Sequence, residues 1–177
     1  MSDQGDEAFD ASQVITTDDF VFFWQPPGVF GQWTWSRFEV EGIVYTCAEQ
    51  FMMAAKAALF INPDIQAQIM ATESPREHKR LGRQIRNFDQ RAWVAARVDI
   101  VVRGNMAKFS QNPEMLAALL ATGERTLAEA SPLDRIWGIG LRADHPDAVN
   151  PAAWRGQNLL GIALMRVRDQ LMAERGR

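Results

Sequence analysis

A single lysine, Lys56, interrupts a segment that is otherwise apolar. From Phe51 to Ile61 all residues except Lys56 are apolar, and the alanine, leucine and methionine content predicts a buried helix over residues 45–61. Burying an ammonium group is costly unless it is paired or its pKa falls until it loses its proton. The alternative is that Lys56 extends its ammonium to the surface across an apolar patch.

A carboxylate, Glu49, lies seven residues before Lys56 in the same predicted helix. At about 100° per residue the two side chains fall on nearly the same helix face, so they can share one pocket. The same glutamate also fits a capping box with Thr46, in which it would accept from the first backbone N–H of the helix. Spacing alone leaves both roles open.

A second pair of carboxylates, Glu129 and Asp134, flanks a Ser-Pro turn and is followed by Trp137 and Gly138. Paired carboxylates are the usual tool of glycosidic cleavage, in which one donates a proton and the other stabilises the developing cationic sugar. Glycine beside an aromatic residue lets a planar ligand approach a loop closely. Asp134 and Arg135 fit a helix cap with a local ion pair equally well.

Two further segments favour an anionic ligand. Residues 76–108 hold nine lysine and arginine residues against three acids, and Arg83 in this run follows Gly82, which permits close approach. Gly156 and Asn158 precede or begin the main part of the last predicted helix, residues 159–171, and a helix N-terminus there could bind a phosphate or a ribose hydroxyl. A solvated basic face and simple capping by Asn158 are the alternatives.

The elements that must position these residues follow from turn and capping signals. Aromatic runs from Phe20 and an alternating segment around Glu41-Gly42 predict a small N-terminal antiparallel sheet that leads directly into the Lys56 helix. Proline, serine, asparagine and glycine signals then predict helices over 64–71, 76–85, 91–109 and 114–120, a short strand or bend over 126–130, and a last helix that begins at Asn150-Pro151 and carries 159–171.

Length and composition limit the class of protein. With 177 residues, 47% of them apolar, the chain is expected to fold as one domain over residues 20–177 behind a disordered acidic leader, residues 1–19, which holds six acids and no lysine or arginine. One cysteine, Cys47, excludes an internal disulfide, and two histidines show no metal-ligand spacing. We expect a soluble intracellular protein that needs no metal and does not associate with a membrane.

These segments together resemble the NADAR family, also called YbiA-like proteins. The matching text covers roughly residues 20–172 in the family's order: Tyr45-Thr-Cys-Ala-Glu49-Gln50 with Lys56, Leu81-Gly-Arg83, Trp93, Ala107-Lys-Phe109, Leu119 to Gly123, Leu127-Ala-Glu129, Asp134, Trp137-Gly138, and Gly156-Gln-Asn158 with Gly161.

The resemblance implies an α+β fold that is predominantly helical and an N-glycosidase that removes ADP-ribose from guanine bases of a nucleoside or nucleic acid. Cleavage of riboflavin-pathway intermediates, or binding of ADP-ribose or NAD without cleavage, are the alternatives. It further implies a cytoplasmic enzyme without a cofactor, with an ADP-ribosyltransferase toxin as a functional counterpart.

The resemblance also assigns residues to roles. Lys56 would form a Schiff base with the opened ribose, and Glu49 and Asp134 would move protons, with Glu129 as a further carboxylate. A tryptophan, either Trp93 or Trp137, would stack on the base. The expected ligand-binding set is Arg83, Trp93, Lys108, Trp137, Gly138 and Asn158.

Overall fold

The computed structural model describes residues 13–176. Within this range it contains six α-helices, α1 (Ala48–Leu59), α2 (Pro63–Met70), α3 (Pro75–Gly82), α4 (Gln90–Gln111), α5 (Pro113–Leu120) and α6 (Leu159–Arg175). Five short strands accompany them, β1 (Ile15–Thr16), β2 (Phe20–Phe23), β3 (Phe38–Val40), β4 (Ile43–Tyr45) and β5 (Thr126–Glu129). The α+β, predominantly helical fold class predicted from the sequence is confirmed.

The strands form two small sheets. β2 lies at the centre of the first, with β1 antiparallel on one side and β5 parallel on the other. β3 and β4 form a separate antiparallel hairpin whose turn uses Glu41 and Gly42 at φ values of 52° and 80°. The first sheet differs from the antiparallel N-terminal sheet that the sequence predicted, because β5 comes from much later in the chain.

Helix α1 is the centre of the helical layer and packs against α2, α3 and α4. Two glycines allow this close packing, since a Cβ at Gly82 would collide with Met53 and a Cβ at Gly104 would collide with Phe51. The backbone of α3 therefore comes within reach of α1 side chains. Helix α6 packs on both α4 and β5, which joins the helical layer to the first sheet.

Helix starts follow the local signals closely. Ser74 accepts from the Glu77 N–H at the start of α3, and Asp89 accepts from the Ala92 N–H at the start of α4. The prediction that Asn150-Pro151 begins the last helix is wrong. Asn150 lies between two 3₁₀ turns, Pro146–Val149 and Pro151–Ala153, and α6 starts only at Leu159.

The expected acidic leader falls mostly outside the described residues, which begin at residue 13. Its last part differs from the expectation, since Ile15 and Thr16 pair with Phe22 and Val21 as strand β1. Strand pairing therefore begins before Phe20. Among residues 13–176, no helix is both long enough and apolar enough to cross a membrane.

Candidate active site

Glu49 is buried in the first turn of α1, where 4% of its surface is exposed. Its backbone N–H donates to the Gln32 carbonyl over 3.0 Å, and its carboxyl accepts from the Trp33 side chain. Burial raises the pKa of this carboxyl to about 7, while the positive charge of Lys79 and the Trp33 hydrogen bond oppose the rise. Glu49 is therefore poised to exchange a proton near neutral pH.

The capping-box alternative for Glu49 is wrong. Cys47 is the N-cap residue, and it is Gln50 that accepts from the Thr46 backbone N–H over 2.8 Å and lies 3.1 Å from the Thr46 hydroxyl. Gln50 also donates to the carbonyls of Ile69 and Thr72, so it ties the start of α1 to the end of α2. Gln50 therefore makes the contacts that hold the start of α1, and the Glu49 carboxyl is not needed for capping.

The second predicted carboxylate pair joins the same cluster. Burial raises the pKa of Glu129 to about 8, and the negative charges of Asp134 and Glu49 add to this rise. The Oε2 atom of Glu129 is buried and has no hydrogen-bond partner among the described residues. A buried oxygen without a partner is costly in a folded protein and is a common feature of a substrate-facing group.

The Asp134 carboxylate has two roles. Its Oδ1 accepts from the N–H groups of Ile136 and Trp137 over 2.9 and 2.8 Å, which is the capping role left open by the sequence. Its charge also acts on Glu49 and Glu129, so the cap is part of the carboxylate cluster. Because one oxygen is committed to the backbone, Asp134 is held in place more firmly than its two partners.

Lys56 lies at the edge of the same cluster and is half-buried. Its Nζ donates to the Gly82 carbonyl over 3.0 Å and lies 4.6 Å from the Phe88 ring centroid and 5.4 Å from that of Trp93. Burial lowers its pKa, and the charge of Glu49 opposes this shift. Lys56 thus reaches a carbonyl and two rings rather than open solvent, and Glu49 is the carboxylate that influences it.

Two site residues escaped the sequence analysis, Lys79 and Trp33. The sequence left Lys79 in a basic run that either binds phosphate or is solvated, but its charge acts on Glu49 and Glu129, and its Nζ lies 6.0 Å from the Trp33 ring centroid. Trp33 was read only as part of an aromatic run. Lys79 and Arg83 both belong to the basic run over residues 76–108, in which only Arg83 follows a glycine, and no local signal marks Lys79 as a site residue.

Lys108 was predicted to bind the ligand, but the structure places it in the core. It has no exposed surface, and its Nζ donates to the carbonyls of Val29 and Gly31 over 2.7 and 3.0 Å. Burial lowers its pKa to about 7. These contacts hold the loop that carries Trp33, so the side chain supports the site from behind.

Asn158 and Gly138 are also structural. The Asn158 side chain accepts from the Glu129 N–H and donates to the Leu127 carbonyl, and it is 2% exposed. A Cβ at Gly138 would stand 2.8 Å from the Glu129 carbonyl oxygen and 3.0 Å from that of Asp134, so only glycine lets these two segments approach. Both residues are buried and hold the segments that carry Glu129 and Asp134 in place.

The N-terminus of α6 is not available to a phosphate. The N–H groups of Leu159 and Leu160 already donate to the carbonyls of Ile136 and Trp137.

Arg83 is exposed at the C-cap of α3, so its phosphate-binding role stays a prediction. Trp137 is half-buried against the core, and the Lys56 ammonium lies over the Trp93 ring, which makes Trp93 a wall of the lysine pocket.

A cavity of about 570 Å³ adjoins the cluster. Its lining is mainly aromatic, proline and other apolar residues and includes Trp33, the residue that also bonds to Glu49. Within residues 13–176 there is no group of three or more histidine, cysteine, aspartate or glutamate side chains arranged to hold a metal ion.

The chain is similar to several known proteins. A model of the NADAR domain matches residues 22–172. N-glycosidase R617 of Acanthamoeba polyphaga mimivirus is 42% identical over 167 residues, covering 88% of this chain and 98% of that protein. Protein irg-1 of Caenorhabditis elegans is 34% identical over 171 residues, covering 88% and 81%. The NMR structure of the Escherichia coli protein YbiA shares the fold with a TM-score of 0.74 and 26% identity, over 93% of both chains.

Proposed function

This chain belongs to the NADAR domain family, and on that premise we propose that it is an N-glycosidase that removes ADP-ribose from guanine bases of a nucleoside or nucleic acid. The relative with 42% identity, which this chain covers almost completely, is named an N-glycosidase. The ADP-ribose and guanine parts of the proposal rest on the site chemistry and on the expected substrate of the family.

The observation that carries the proposal is the cluster formed by Glu49, Glu129 and Asp134 beside the half-buried amine of Lys56. Two of these carboxyls have pKa values raised to about 7 and about 8, so they hold or exchange a proton at neutral pH. A lysine with a lowered pKa is a better nucleophile because more of it is neutral. Recognition alone would not require this combination.

The proposed reaction uses these groups in turn. The neutral Lys56 amine attacks the anomeric carbon, the bond from that carbon to the base nitrogen breaks, and Glu129 protonates the departing nitrogen. Glu49, whose charge acts on Lys56, takes the proton that the attacking amine loses. Glu49 then returns this proton to the ring oxygen as the ribose opens, which leaves a Schiff base between Lys56 and the sugar. Water adds to the Schiff base with Glu49 as base, and the amine departs as ribose is released.

The binding of the diphosphate is assigned to the exposed basic face of α3, where Arg83 lies. Guanidinium groups bind phosphate through two parallel hydrogen bonds. The α6 N-terminus is no longer part of this assignment, because its first N–H groups already have carbonyl partners. We also propose that the enzyme acts in the cytoplasm on conjugates made by an ADP-ribosyltransferase, such as a toxin.

A smaller substrate, a riboflavin-pathway intermediate, is the second candidate. One observation favours it: the described helix terminus expected to hold a phosphate is occupied by Ile136 and Trp137 carbonyls. The carboxylate cluster and Lys56 would act on its glycosidic bond in the same way. The two candidates differ only in the need for phosphate contacts.

Incubation of the protein with ADP-ribosylated guanosine, ADP-ribosylated DNA and a riboflavin precursor tests the proposal. We expect release of guanine-containing product and ADP-ribose from the first two. Release from the riboflavin precursor alone would favour the smaller substrate, and ADP-ribose binding without any release would identify a binding module. The variant Lys56→Arg, which keeps a donor for the Gly82 carbonyl, is the matched control for contaminating activity.

A further inference from the structure

The cavity next to the carboxylate cluster has a composition suited to a planar ring. Its lining residues are Pro26, Pro27, Trp33, Thr34, Trp35, Cys47, Glu73, Pro75 and Met115, and its volume of about 570 Å³ lies in the range of small-molecule sites. Trp35 is 57% exposed although it is a large aromatic residue. An exposed tryptophan beside proline rings is a surface on which a base can stack.

One residue, Trp33, links the cavity to the proposed site of bond cleavage. The side chain of Trp33 bonds to the Glu49 carboxyl, and the same residue lines the cavity. Cys47, another lining residue, is the N-cap of α1 and stands two positions before Glu49. A ligand in the cavity would therefore contact Trp33, the residue that also bonds to the Glu49 carboxyl.

One lining residue carries a charge. Glu73, in the link between α2 and α3, is exposed, and its carboxylate makes neither a hydrogen bond nor an ion pair with the described residues. A carboxylate has only acceptors and can take two parallel hydrogen bonds. Its complement is a ring edge with two adjacent donors.

We propose that this cavity receives the leaving base, and that Glu73 selects guanine by accepting hydrogen bonds from the ring N1–H and the 2-amino group. This inference rests on the proposed function, because it assigns the base-binding half of the same site. Trp33 and Trp35 stack on the base, in place of the Trp93 and Trp137 roles expected from the sequence. An adenine edge presents an acceptor at N1, which the carboxylate repels, and hypoxanthine lacks the amino group.

The experiment measures binding of guanosine and inosine, the nucleoside that lacks the 2-amino group, to the full chain. We expect guanosine to bind more tightly than inosine by about 10-fold or more, since a hydrogen bond to a charged group contributes that much. Glu73→Gln is expected to remove most of this difference. Glu77→Gln, which changes an exposed glutamate of α3 that pairs with Arg80 and does not line the cavity, is the matched control.

A second readout locates the ligand. In a titration followed by NMR, the indole N–H signals of Trp33 and Trp35 should shift with guanosine, and Trp35→Ala should weaken guanosine binding about 5-fold or more through lost stacking. Equal binding of guanosine and inosine by the wild type, or unchanged selectivity in Glu73→Gln, overturns the inference. The proposed function fails separately, if guanosine binds selectively here but its ADP-ribosylated form is not cleaved.

Discussion

Two lysines, Lys56 on α1 and Lys108 on α4, differ in what surrounds their amines. Both were assigned to the site from the sequence, and burial lowers the pKa of both. Lys56 keeps part of its surface, has a single carbonyl acceptor at Gly82, and feels the charge of Glu49. Lys108 has no exposed surface and two carbonyl acceptors. A low lysine pKa therefore does not identify a nucleophile unless the amine is also accessible beside proton-transferring groups.

The contacts of Lys108 with the loop before Trp33 explain its structural role. Its two acceptors, Val29 and Gly31, belong to the loop that leads to Trp33, and Asn105 on the same helix donates to the Gln32 side chain over 3.0 Å. The Gln32 carbonyl in turn accepts from the Glu49 N–H. Lys108 is thus a positioning residue that aims the Trp33 loop at the start of α1.

The largest expected effect is that of Lys56→Ala, which should abolish turnover because it removes the nucleophile. Borohydride added during turnover should leave a sugar adduct on Lys56 of the wild type, detectable by mass spectrometry. Lys56→Ala also removes the donor to the Gly82 carbonyl, so a second variant separates chemistry from structure. Lys56→Arg keeps that donor and should be folded but inactive. If no adduct forms on an active wild type, water attacks the sugar directly and the Schiff base is excluded.

The next largest effect is expected at the carboxylates. Glu129→Gln and Glu49→Gln should each lower kcat by about 10²- to 10⁴-fold with little change in ligand affinity, because they remove proton transfer and keep the shape. Asp134→Asn should also lower kcat, and it should lower the melting temperature less than Asp134→Ala, since the amide oxygen still caps residues 136 and 137. An unchanged kcat in Glu129→Gln would remove that residue from the mechanism.

The pH profile gives a third test of the same cluster. The pKa of Glu129 is raised to about 8, so the carboxyl is protonated below that pH and able to donate. We expect kcat to fall as the pH rises through about 8, and this fall should be absent from the residual activity of Glu129→Gln. A profile that stays flat between pH 7 and 9 would contradict the assignment of Glu129 as the acid.

Lys108 should make the stability of the protein depend on pH. The pKa of Lys108 is 10.5 when unfolded and about 7 when folded, so between these values the unfolded chain binds more protons and the free energy of unfolding rises with pH. Lys108→Met lacks this gain and leaves two carbonyls without their donor, at a cost of about 1–3 kcal/mol each. Its deficit in melting temperature against the wild type should widen from pH 7 to pH 9. A constant deficit would mean that Lys108 does not change its charge in the fold.

The smallest expected effect is at the exposed basic face. Arg83→Ala should weaken ADP-ribose binding about 2- to 5-fold, since an exposed ion pair contributes little. The difference should shrink as salt is raised, because exposed charges are screened over about 10 Å at 0.1 M. Calorimetry of ADP-ribose and plain ribose at two salt concentrations measures both, with Arg166→Ala on α6 as the control. Equal binding of the two sugars would return this face to solvent.

The sequence by itself determined the helices and part of the site. Serine, aspartate and proline at helix starts act on backbone groups within four residues, so the local sequence was enough to predict the bounds of α2 to α5 to within a few residues. Helical spacing likewise brought Glu49 and Lys56 towards one face of α1. The bend between Glu129 and Asp134 was also predicted, because proline is a local turn signal.

Only the tertiary structure decided which polar residues serve the site and which support it. Lys79 joins the carboxylates because α3 packs on α1 through Gly82, and Trp33 joins them because the Gln32 carbonyl accepts from the Glu49 N–H. No local spacing predicts either contact. Lys108 and Asn158 lie in family-like motifs, as the proposed catalytic residues do, yet each is bonded to backbone groups far away in the chain. Burial and hydrogen-bond partners arise from long-range packing, and they determine whether a charged side chain reacts, binds or holds the backbone.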